Sequence, residues 1–92
     1  MLDKIVTGTA RAQVEARVLD LSLSGALLEL ATALEVGSIS DFSLPLDGAS
    51  MWVQAEVKRC TAAGGAFHVG IDFVGMHPHD RHRLREYLGR KQ

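Results

Sequence analysis

Ninety-two residues, 47% of them apolar and 23% charged, have room for one hydrophobic core and are read as a single domain over residues 1–92. No apolar run approaches the ~20 residues of a membrane span, the N-terminus carries no signal-peptide pattern, and the single cysteine, Cys60, cannot form an internal disulfide, so a cytoplasmic protein without membrane insertion is expected. The net charge of −1 divides into −4 over residues 1–76 (five basic, nine acidic) and +3 over residues 77–92 (five basic, two acidic); with aromatics at 5%, this argues against a nucleic-acid surface.

In chain order, "KIVTGTA" is a short β-type run. "QVEARV" alternates Val14, Ala16 and Val18 against Glu15 and Arg17, the period of a half-buried strand. "ALLELA" follows Gly25 as the next strand. "ISDFSLPL" puts Phe42, Leu44 and Leu46 on one face, with Pro45 marking a strand end or edge. After the turn signal "DGAS", "MWVQAEVKRC" keeps Val53, Ala55 and Val57 in phase, and "AAGG" makes a hairpin loop. "AFHVGIDFV" alternates Phe67, Val69, Ile71 and Phe73 with His68, Gly70 and Asp72. The segment from His77 then turns helical. Pro78 suits the first helical position, Asp80 the first turn, and Gly89 a stop followed by Arg90 and Lys91. Its narrow stripe of Leu84, Tyr87 and Leu88 predicts a helix that lies on the body and closes one opening, with its arginines in water. About six antiparallel strands and one helix predict an all-β fold, a small six-stranded β-barrel closed by a C-terminal α-helix.

One stretch breaks the alternation. Apolar side chains occupy even positions from Val14 to Val18 and odd positions from Leu19 to Leu23, where Asp20, Ser22 and Ser24 hold the even ones. Successive side chains of a strand point to opposite faces, so either the core-facing side changes or a bulge near residue 19 shifts the phase. The result is a carboxylate and two hydroxyls displayed in a row. Gly25 then permits positive φ or the close approach of another group. A carboxylate suits the donor edge of a guanine, with its N1–H and exocyclic amine. The same residues also serve ordinary turn chemistry, in which Asp and Ser bond their own backbone.

"DLSLSG" followed by "ALLEL" resembles the PilZ domain family, whose second motif is Asp or Asn, any residue, Ser, two residues, Gly. Asp20, Ser22 and Gly25 fill its three fixed positions, and "VGIDFVGMHPHDRHRLREYL" is similar to the family's last strand and closing helix. The resemblance implies a bacterial signalling barrel that binds cyclic di-GMP, with Asp20 and Ser22 at a guanine and Gly25 keeping the turn open. The family's first motif, Arg, three residues, Arg, on a segment before the first strand, has no counterpart there: Arg11 and Arg17 are six positions apart. Arg11, Arg17 and Lys4 are the candidate substitutes. The alternative is a degenerate PilZ domain that binds no nucleotide and acts as a protein-interaction module; partner and oligomeric state are unspecified.

Other constellations point nowhere specific. His77, His79 and His82 with Asp80 read as a solvated helix start without a metal, since no second ligand cluster faces them. Ser22 and Ser24 lack a patterned base, so no enzyme is expected. Cys60 reads as a small core or edge residue, and Trp52 as packing.

Overall fold

The structure, a computed structural model, describes residues 3–7, 12–46 and 48–90, with side chains from Ala16 onward. Six strands, β1 (Asp3–Thr7), β2 (Ala12–Leu21), β3 (Gly25–Leu30), β4 (Ile39–Leu46), β5 (Ala49–Ala63) and β6 (Ala66–Met76), precede one helix, α1 (Pro78–Arg90). They form one antiparallel sheet in the order β1-β2-β3-β6-β5-β4. The two longest strands, β5 and β6, are joined by a two-residue loop in which Gly64 and Gly65 both have positive φ, 56° and 86°, as a tight hairpin demands.

The sheet curls so that its edge strands β1 and β4 approach each other, but no ladder joins them among the described residues. The expected closed barrel is therefore corrected to a curled, open half-barrel. Pro45 lies on the β4 edge, as its sequence position suggested, and offers no N–H to a further strand.

The inner face carries the predicted alternation. Ala16, Leu28, Leu30, Phe42, Leu44, Leu46, Met51, Val53, Ala55, Val57, Val69 and Ile71 are all buried, and no polar side chain joins them among the described residues. The helix contributes Leu84, which is fully buried, while Tyr87 and Leu88 pack against the core from its rim. Two helix expectations change. The helix runs through Gly89 to Arg90 rather than stopping at the glycine. Arg83 is not a solvated arginine: its guanidinium pairs with Asp80 at 3.2 Å and donates to the carbonyls of Leu46 and Ser50 at 3.3 and 3.4 Å. That side chain straps the helix to the β4–β5 connection, and tertiary contact of this kind leaves no trace in the helical periodicity.

Gly25 sits where β3 passes β6. A Cβ there would collide with the carbonyl oxygen of Ile71, which belongs to the backbone and cannot swing aside. Of the two uses a glycine has at this position, close approach is the one realised; its φ is not positive.

Two outcomes follow for stability. Leu84→Ala should destabilise the domain by about 2 to 5 kcal/mol, and Leu88→Ala by less because it is only partly buried; unchanged denaturant melts of both variants would mean that the helix does not close the core. Gly25→Ala should lower stability by about 1 to 3 kcal/mol through overpacking against β6, read from the same melts, and full retention of stability would contradict the backbone collision.

Candidate functional site

In the β2–β3 ladder Val18 pairs with Leu28 and Asp20 with Leu27, so Leu19 is an extra residue without a partner. Of the two possibilities that the broken alternation left open, the bulge is the one realised. Val18 faces the core; simple alternation would then send Leu19 outward and Asp20 inward, burying a carboxylate among leucines. The extra residue restores the phase instead, turning Asp20 outward and Leu21 back toward the core.

The chain then reverses around Ser22. The Ser22 N–H donates to the Gly25 carbonyl at 2.9 Å, and the Ser22 hydroxyl donates to the same carbonyl at 3.2 Å while accepting the N–H groups of Ser24 and Gly25, each at 3.2 Å. A hydroxyl has one donor and two acceptor sites, so these bonds use its capacity. Ser22 is the knot of the turn. Phe73 N–H donates to the Ser24 carbonyl at 2.8 Å and pins the turn to β6. The Asp20 carboxylate accepts the Leu21 N–H through Oδ1 at 2.9 Å, which orients it, and its other lone pairs remain for a ligand.

A second bulge works the same way on β5. Val57 pairs with Ile71 and Arg59 with Gly70, leaving Lys58 as the extra residue. Val57 faces the core, so without the insertion Arg59 would point inward; with it, Arg59 faces out and Cys60 returns to the core side. Lys58 pairs with Glu56 at 3.6 Å. Arg59 makes no ion pair or hydrogen bond among the described residues.

The two bulges bring their outward residues to one pocket of about 160 Å³, lined by Asp20, Ser22, Ser24 and Gly25 from the first turn and by Arg59, Gly70 and Asp72 across β3. Three of the sequence candidates, Asp20, Ser22 and Gly25, thus converge. Arg17 does not: its guanidinium pairs with Glu29 at 2.9 Å, and Glu29 also meets His68 at 3.2 Å, a cross-strand row away from the pocket. Arg11 lies outside the described residues, and Lys4 belongs to β1, whose side chains are not described.

Sequence reasoning missed Arg59 and Asp72 as pocket walls, while Ser24 belonged to the displayed row without being assigned to the ligand. For Arg59 a signal existed, since apolar positions move from odd (Val53, Ala55, Val57) to even (Cys60, Ala62) across Lys58. Chemically, two carboxylates, two hydroxyls and a guanidinium around a shallow opening suit a planar polar molecule rich in N–H donors.

Trp52 is not packing. It is 46% exposed and lines a larger pocket, about 550 Å³, with Asp41, Gln54, Gly75 and His77 at the start of the helix. The histidines there are engaged separately: His77 Nδ1 accepts the His79 N–H at 3.0 Å and His82 meets Glu86 at 3.4 Å.

None of the curated proteins compared matches the chain. The PilZ domain family matches it over residues 4–90, which takes in every strand but the first residue of β1, the whole Asp20–Gly25 turn, both bulges and the closing helix. With 87 of 92 residues covered (90 − 4 + 1), this chain belongs to the PilZ domain family.

Proposed function

We propose that this chain is a signalling domain that binds cyclic di-GMP, with one guanine seated at Asp20, and relays that binding to a protein partner. The family is one of cyclic di-GMP-binding signalling modules, and the observation that carries the reading to this chain is the convergence of Asp20, Ser22 and Gly25 on one pocket. Their parts differ. Gly25 lets β3 approach β6, Ser22 ties the turn, and the oriented Asp20 carboxylate offers acceptors to the guanine N1–H and exocyclic amine. The chemistry is recognition rather than catalysis, since the hydroxyl of Ser22 is spent on its own backbone. Among the described residues no helix is long and apolar enough to cross a membrane.

A second reading has its own observation. Arg17 is held by Glu29, and the one arginine pair with three residues between, Arg81 and Arg85, lies on α1 and not ahead of the Asp20–Gly25 turn, so the family's phosphate clamp is missing from its usual position in this sequence. On this reading the domain has lost the nucleotide and acts through its surface.

Calorimetric titration of the chain with cyclic di-GMP separates the two. Hydrogen bonds to a charged group contribute about 1.5 to 3 kcal/mol each, so the missing pair should weaken binding by roughly two to four orders of magnitude relative to a receptor that has it. The expected outcome is weak, saturable binding that Asp20→Ala reduces by a further ten- to hundredfold, on the order of one such bond. Submicromolar affinity would contradict the estimate of a missing clamp, and binding indifferent to Asp20→Ala would contradict the guanine seat. Complete silence at millimolar ligand would establish the second reading.

A further inference from the structure

The pocket's two outward glycines are tight for different reasons: Gly25 meets backbone and Gly70 meets the Arg59 side chain. A Cβ built on Gly70 would meet Nη2, Cζ and Nε of Arg59 at 2.9, 3.1 and 3.4 Å. Bonded guanidinium atoms this nearly equidistant from one point, with the central carbon no farther than the flanking nitrogens' range, put that point over the flat face of the group rather than beyond its edge. The guanidinium therefore lies face-down on Gly70. Gly70 is buried although it faces outward, because Arg59 covers it. Arg59 itself is exposed and without an ion pair or hydrogen bond among the described residues, so its opposite face is open at the pocket rim.

Lys58 and Arg59 are the only basic residues between Arg17 and Arg81, and Lys58 is already paired with Glu56. The bulge at Lys58 is what turns Arg59, rather than Lys58, toward Asp20 and Ser24. A planar, delocalised and permanently charged group, backed by a residue without a side chain, is a stacking surface for a flat base. We propose that Arg59, laid flat on Gly70, is the stacking platform of this site and holds the face of the purine whose edge is read by Asp20. The inference rests on the guanine seat proposed above and adds a binding residue from the opposite wall, on β5, two strands from the motif turn.

The neighbouring glycine supplies the sharpest test. The atoms that an alanine at 70 would displace are the far end of a flexible side chain, so Gly70→Ala lifts the guanidinium at little cost to the fold, unlike Gly25→Ala, whose obstacle is backbone. Cyclic di-GMP is titrated into the full chain and into Arg59→Lys, Gly70→Ala and Asp20→Ala, with thermal melts alongside. Arg59→Lys keeps the charge and loses the plane; both it and Gly70→Ala should weaken binding by roughly tenfold, in line with a lost cation–π-type contact, with melting temperatures unchanged. If Asp20→Ala loses affinity while Arg59→Lys and Gly70→Ala bind as tightly as the parent chain, the platform is wrong and the guanine seat stands. If the parent chain does not bind at all, the seat fails and the platform with it.

Discussion

An antiparallel strand can bury only every second side chain, and this molecule depends on where that alternation is interrupted. At Leu19 and again at Lys58 one extra residue enters a ladder, and each time the residue that follows is polar and would otherwise face the core. The interruptions spare the interior a carboxylate and a guanidinium, whose burial without partners costs far more than a bulge. They also aim both groups at one patch of the outer surface. Core integrity and the site are thus consequences of the same two irregularities. A third, which leaves Val74 out of the pairing between Gln54 and Ala55, lies beside the Trp52 pocket at the other end of the same two strands.

Within the patch, scaffold and recognition fall to different residues. Ser22 closes the turn with its whole hydrogen-bonding capacity, and Gly25 exists to let β3 pass beneath the Ile71 carbonyl. Neither has much left for a ligand. Asp20 and Arg59 are the opposite case, exposed, oriented and uncommitted to ion pairs among the described residues. The long hairpin of β5 and β6 connects this patch to the Trp52 pocket at the helix start, and Arg83 fastens the helix to the far end of the same hairpin. One hydrogen-bonded hairpin thus joins the Asp20 pocket to an exposed aromatic surface.

Much of this was legible in the residues. The strands follow their period-two runs, the Leu19 bulge follows from leucines changing phase, and the stripe of Leu84, Tyr87 and Leu88 packs on the core as its spacing implied. The phase change at Lys58 was written in the sequence too, but in Cys60 and Ala62, small residues at home on either face, so the pattern was too faint to assign Arg59 outward. What sequence could not carry is what neighbouring elements decide. Whether β1 and β4 join, whether Arg83 finds the Leu46 carbonyl, and whether Trp52 packs or stands exposed all depend on partners far along the chain. Arg17 is the instructive case. It was a candidate substitute for the missing arginine pair, but the register opposite Glu29 commits it elsewhere.

The central claim is that Asp20 and Arg59, brought outward by separate bulges, face one ligand. The most direct measurement is an amide and arginine side-chain NMR titration of the chain with cyclic di-GMP. If Asp20 and Arg59 share one ligand, shifts concentrate on Asp20 to Gly25, on Gly70 to Asp72 and on the Arg59 Nε–H, and they saturate together. Saturable shifts centred instead on Trp52, Gly75 and His77, with Asp20 and Arg59 still, would contradict it.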